Sequence, residues 1–210
     1  MKRYIDLMMT VLSIILMGGT VLFPDDRVHQ VLGILLLTLW FSHMVLNRRW
    51  YGSLFKGKYN SYRRMQIVVN IGITVCAILQ MISGLMMAWF MPVEAIGSGI
   101  EFARTAHIVA SHWYFLFMCF HIGMHISMMA SRVPVRYLGY TRLAIGVVSC
   151  YGIYAFIIRG LWRYILLLQQ FFFLDLDRGY VLFVVDYISI LVLFSMISHY
   201  LSRLLLVRNR

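Results

Sequence analysis

An all-α fold is predicted: a polytopic transmembrane helical bundle of about six spans with one interfacial helix. Three observations predict it. Hydrophobic residues make up 61% of the 210-residue chain and charged residues only 13%. Mean hydropathy is +0.80, and apolar runs long enough to cross a hydrocarbon core of about 30 Å recur along the chain. The basic residues fall in alternately crowded and sparse segments, as they do when successive loops lie on opposite sides of a membrane. This length suits a single domain, 1–210, with no room for a sizeable soluble one. No internal repeat or low-complexity linker divides it.

The first run, YIDLMMTVLSIILMGGTVLF (4–23), follows Lys2 and Arg3 and ends at Pro24-Asp25-Asp26. It is long for a signal peptide and lacks a clear A-x-A cleavage site, so it reads as a retained helix. The second span covers 28–47 and stops at RRWYGSLFKGKYNSYRR. The third covers 65–91, where Pro92 closes it. The fourth, fifth and sixth cover about 104–130, 139–158 and 180–203. Before the sixth lies LWRYILLLQQFFFLDLD. From Arg163 to Asp175 only about eleven apolar residues intervene, roughly 17 Å of helix, too little to cross. Segment 161–174 is therefore expected to be a helix lying in the interface.

With the N-terminus inside, the inner segments hold Lys2, Arg3, Arg48, Arg49, Lys56, Lys58, Arg63, Arg64, Arg132, Arg136, Arg142, Arg203, Arg208 and Arg210, 14 of the 19 basic residues. The outer ones hold Arg27, Arg104, Arg159, Arg163 and Arg178. This bias is expected to place both termini in the cytoplasm. It also accounts for the net charge of +11 without nucleic acid as a partner. Of the eight acids, seven fall on the outer side, and Asp6 is the exception. Cys76, Cys119 and Cys150 sit in apolar runs and form neither C-x-x-C nor C-x-x-C-H. Covalent c-type haem and a zinc ribbon are thus unsupported, and buried structural thiols are expected.

Histidine is uncommon within spans and usually functional there. His29 and His43 lie 14 residues apart on the second span, and His107 and His121 lie 14 apart on the fourth. Fourteen residues return a helical side chain to within about 40° of its starting direction, some 21 Å along the axis. The second and fourth spans run in the same direction, so His29 shares a depth with His107 and His43 with His121. Two cross-helix imidazole pairs result, one near each membrane surface. Two bis-histidine haems require this arrangement within a four-helix haem-binding core, each iron taking one nitrogen from each helix. Zinc would want three or four ligands at one point.

The remaining histidines are less constrained. His125, one turn past His121, reads either as a quinone- or proton-handling group beside the haem or as a plain hydrogen-bonding residue. His112 points about 140° from His107 and so can hardly share its haem. His199 suits an interfacial role. Gly33, Gly84 and Gly123 would let a flat macrocycle approach the backbone, or would serve ordinary helix packing. Arg27 and Arg104 lie where outer propionates would emerge, and Arg48, Arg49 and Arg132 could serve inside.

Several stretches together resemble the flavinylation-associated cytochrome family of small bacterial membrane proteins. They are DLMMT, HQVLGILLLTLWFSHMVLNRRWY, ISGLMMAW, HIVASHWYFLFMCFHIGMH and YGIYAFIIRGLWRYILLLQQFFFLDLDRGY with a following DY. The resemblance implies a di-haem b-type cytochrome of the bacterial inner membrane. It would pass electrons from a quinol or cytosolic donor to flavins on an extracytoplasmic partner. This chain has no flavin attachment segment of its own, and the FFFLDLD region is a plausible docking surface. Two other functions stay open. One is an oxidoreductase acting directly on quinol, superoxide or oxygen, using His125, Asp186 or the outer arginines. The other, weaker for want of acids within the spans, is a proton or metal transporter.

Overall fold

The computed structural model describes residues 2–54, 56, 58–92, 97–174 and 179–207. Glu94, Asp175, Asp177, Arg178, Arg208 and Arg210, used above in reading the topology, lie outside the described residues. Within them the regular structure is entirely helical. The helices are α1 (Lys2–Leu16), α2 (Asp26–Leu46), α3 (Arg48–Gly52), α4 (Ser61–Met86), α5 (Gly99–Ala130), α6 (Leu138–Ile158), α7 (Leu161–Ile165) and α8 (Gly179–Val207). Upper denotes the end where α2 and α5 begin, and lower the end where α1 begins.

Among the described residues, five segments are long and apolar enough to cross a membrane: Asp26–Leu46, Ser61–Met86, Gly99–Ala130, Val135–Ile158 and Gly179–Val207. These correspond to the second to sixth predicted spans. The first differs. Regular α1 ends at Leu16 rather than near Phe23, because the chain tightens into three-residue turns through Met17, Gly18 and Gly19. Gly19 takes φ +62°, a conformation open to glycine but unfavourable for other residues. A single 3-10 turn, Thr20–Leu22, then leads on to α2.

Local chemistry sets the other boundaries. The Asp25 side chain caps α2 by accepting from the Arg27 amide at 2.8 Å, and Asn60 caps α4 through the Arg63 amide at 2.8 Å. α4 ends at Met86, before the expected Met91, in tight turns; there the Trp89 amide donates to Gln30 Oε1 at 2.9 Å. α5 begins earlier than expected, at Gly99.

The interfacial helix expected over 161–174 is reduced to the single turn of α7. Gly160 and Leu167 both have positive φ, and the chain beyond is irregular. The Tyr164 hydroxyl replaces the missing helical bonds: it accepts from the Phe173 amide at 3.0 Å and from Gln169 Nε2 at 2.9 Å. Leu161 and Leu174 are buried at either end, while Phe171 and Phe173 are exposed.

α5 is the central helix, flanked by α4 and α8, with α6 on the far side of α8 and α1 on α2. Polar and small residues lie at the helix contacts, whereas large apolar ones face outward. Ser189, Ser195, Ser198 and Ser202 of α8 are buried, while Val181, Leu201 and Leu204 are exposed. That inside-out pattern is the one lipid imposes, since tails compete poorly for hydroxyls but readily accept leucine. Ser195 Oγ donates to Cys119 O at 2.9 Å and Ser198 Oγ to Phe120 O at 2.7 Å, tying α8 to α5.

Gly123 serves this contact. A Cβ there would strike the Ser195 carbonyl oxygen and lie 2.7 Å from Ser198 Cβ. Its part is helix packing and not the cradling of a macrocycle. Gly123→Val is expected to destabilise the protein by about 1–3 kcal/mol, as overpacking does. A thermal melt in detergent, set beside that of Gly139→Ala, where a Cβ meets nothing within 4 Å, checks this. Of the three cysteines, Cys76 and Cys119 are buried as expected, but Cys150 is exposed.

Candidate functional site

α2 rests on α1 and makes little backbone contact with α5. Across the space between α2 and α5 the four paired histidines face one another at two levels. At the upper level the His29 and His107 ring centres are 6.3 Å apart, inclined at 68°. At the lower level His43 and His121 are 6.5 Å apart, inclined at 78°. A metal ion about 2 Å from a nitrogen of each ring would hold two imidazole centres at roughly this separation. The same spacing recurs at both levels, so the fit is not confined to one accidental contact.

Hydrogen bonds orient three of the four rings. His107 Nδ1 donates to the Gln80 carbonyl oxygen at 2.9 Å, with Ser83 Oγ at 3.3 Å. His121 Nδ1 donates to Asn70 Oδ1 at 2.8 Å, and His43 Nδ1 to Asp6 Oδ1 at 2.7 Å. These acceptors require the proton on Nδ1, which leaves Nε2 with its lone pair. Metal-bound histidines are held in this way by their surroundings. His29 Nδ1 is buried without a hydrogen-bond partner.

A cavity of about 520 Å³ opens beside the upper pair, within the size range of cofactor sites. His29, Gly33, Gly84, Arg104 and His107 line it. An added Cβ at Gly33 meets nothing within 4 Å, so this wall has room that a side chain would take. At Gly84 a Cβ would lie 3.1 Å from His107 Cε1, so glycine there gives the His107 ring its place. Arg104, one turn before His107, reaches the cavity, whereas Arg27 is not among its lining residues.

The other histidines belong to neither pair, although His112 lines the upper cavity beside His29 and His107. The His125 ring lies 4.9 Å from that of His121 and is exposed at the lower end. His112 is buried, with Nδ1 bonded to the Ile108 carbonyl of its own helix at 2.7 Å and its ring stacked on Tyr164 at 4.3 Å. His199 is buried beside the Gly123 backbone, at the lower end of the α5–α8 contact. Among the described residues no three His, Cys, Asp or Glu side chains converge as a metal cluster would need. The histidines occur as pairs.

Sequence reasoning missed Asp6, Asn70 and the Gln80 carbonyl. Two of these left a trace: Asp6 is the one acid on the inner side, and Asn70 is one of three amide side chains in the third span, with Gln66 and Gln80. Their targets are 37 and 51 residues away, beyond any helical spacing rule.

Fold and site together define an all-helical protein of multi-pass membrane character. No protein-family model matches the chain, nor does any curated protein or solved structure.

Proposed function

We propose that this protein carries electrons across a membrane through two b-type haems, the upper held by His29 and His107 and the lower by His43 and His121. The observation that carries the reading is the matched ring separation at both levels, 6.3 and 6.5 Å, on helices that otherwise stand apart. When bound, haem iron supplies one-electron ferric–ferrous chemistry, and two axial imidazoles leave it no open position for oxygen. This favours a relay over direct oxygen chemistry.

The remaining work falls to the chain's own groups. Gln80, Asn70 and Asp6 hold the imidazole protons on Nδ1 and so aim the other nitrogen of each ring. Gly33 and Gly84 keep the upper space clear, and Arg104 offers a cation to an anionic propionate. The 14-residue interval on α2 and α5 separates the levels by about 21 Å, most of the hydrocarbon thickness. Although α1 is only 15 residues long, Asp6 meets the lower pair and Gly19 lines the upper cavity. The segment 2–23 thus reaches both levels, which favours a sixth span.

The basic residues crowd the lower end, which supports a cytoplasmic placement of both termini. Together with the resemblance to flavinylation-associated cytochromes, this suggests a bacterial inner-membrane protein. Electrons would enter from a quinol or cytosolic donor and leave for a flavinylated extracytoplasmic partner. A reduced-minus-oxidised spectrum of the purified protein, with a haem-to-protein ratio, tests the reading. Two b-type haems per chain are expected. Protein that is folded yet shows no b-type absorbance would overturn it.

A further inference from the structure

We infer that the two sites are unequal in reduction potential, the lower being the poorer electron acceptor, because only His43 gives its ring proton to a carboxylate. The inference rests on the two-haem reading and deepens it: the inequality between the sites drives electrons from the lower level to the upper.

The four ligand rings are held differently. At the lower level His43 Nδ1 donates to Asp6 Oδ1 at 2.7 Å, while His121 donates to the neutral amide oxygen of Asn70. At the upper level His107 donates to the neutral Gln80 carbonyl, and His29 Nδ1 has no hydrogen-bond partner. An anionic acceptor draws the Nδ1 proton away from the ring and leaves more electron density on the metal-binding nitrogen. A richer axial donor stabilises ferric over ferrous iron and so lowers the potential.

Asp26 and Arg104 both line the upper cavity and oppose each other. Lys2, four residues before Asp6, donates to the Leu46 carbonyl at 2.8 Å. Asp6 is 53% exposed, so its through-space field is screened by water and salt. The hydrogen bond acts through the ligand ring itself and does not depend on that field.

The internal step balances by itself. One electron leaves the lower iron, which passes from ferrous to ferric, and reduces the upper iron from ferric to ferrous. No bond is made and no proton moves. A quinol releasing two electrons singly, and two protons to water, would supply the lower site. An oxidised flavin accepting them would empty the upper. With the lower end cytoplasmic, the protein exports reducing equivalents.

The test is a potentiometric titration of the purified holoprotein, followed by haem absorbance. Wild type is expected to show two one-electron waves. His43→Ala removes the lower site, and the wave that survives should be the one of higher potential. Asp6→Asn, still carrying both haems, should raise the lower wave alone by about tenfold in its reduction equilibrium, or 59 mV for a one-electron couple. Asp6→Glu should restore it. A surviving low-potential wave in His43→Ala, or an Asp6→Asn titration identical to wild type, would overturn the inference and leave the haem reading standing. Wild type with fewer than two haems would overturn both.

Discussion

If the native protein holds the two b-type haems proposed, His121→Ala is expected to leave one per chain, with the remaining haem spectrally unchanged. The expectation follows from the separation of the two levels. His121 faces only His43 across the space between α2 and α5, at 6.5 Å between ring centres. The upper pair lies four helical turns away and shares no ligand with it. Without the His121 imidazole, a haem at the lower level would lose half of its protein attachment. His112→Ala is the informative control, because His112 is equally histidine and equally intramembrane. It lines the upper cavity, but its Nδ1 is bonded to Ile108 and its ring is stacked on Tyr164, so its loss should disturb packing without removing a member of either histidine pair. Pyridine haemochrome assays on the two variants decide the matter. If His112→Ala loses a haem and His121→Ala keeps two, the assignment of ligands is wrong. His125 provides a further check, since its ring lies 4.9 Å from that of His121 and is the nearest imidazole available to substitute for it. His121→Ala/His125→Ala should then match His121→Ala alone.

The second large effect is on stability and lies away from the histidines. Asp186 is fully buried on α8, where it accepts from Arg159 Nε at 2.8 Å and from the Tyr151 hydroxyl at 2.6 Å. The Arg159 side chain is itself only 4% exposed, with its guanidinium 5.9 Å from the Phe183 ring. Removing one member of a buried ion pair costs about 3–5 kcal/mol, because the other charge loses the partner that compensated its desolvation. Asp186→Ala is therefore expected to lower the melting temperature in detergent sharply, while Asp186→Asn, which retains an acceptor, should cost less. An Asp186→Ala protein that melts with the wild type would remove this pair from the account of how α6 is fixed to α8. The same contact bears on the alternative in which Asp186 serves catalysis. Its carboxylate is occupied by Arg159 and Tyr151, which gives it a structural task already.

Much of this molecule was legible before any tertiary structure. Apolar run length alone marks about six spans, and five of them are helices long and apolar enough to cross a membrane among the described residues, because a lipid core demands a minimum length and forbids unpaired backbone polar groups. The four paired histidines were legible for a related reason. A helix repeats its directions at fixed intervals, so two equal 14-residue spacings on parallel helices predict two facing pairs, and the structure brings both together. Where the sequence misled, local signals competed with contacts it does not display. The run 4–23 looks like one helix, yet Gly18 and Gly19 end it at Leu16. Segment 161–174 looks helical, yet the Tyr164 hydroxyl supplies the hydrogen bonds that let it leave the helix after one turn.

The sequence by itself determined the helical class, the apolar spans and the periodic placement of the histidines, since all three depend on distances along one chain. Only the tertiary structure decided what stands behind each histidine. Asp6 behind His43, Asn70 behind His121 and the Gln80 carbonyl behind His107 come from other helices, tens of residues away. Helical periodicity carries no information about which neighbour will face a given side, because that is set by how whole helices pack. The assignment of Gly123 to α8 and of Gly33 to the cavity belongs to the same kind of information. The two imidazole pairs look alike in sequence, and they become chemically unequal only when folding brings a carboxylate to one of them.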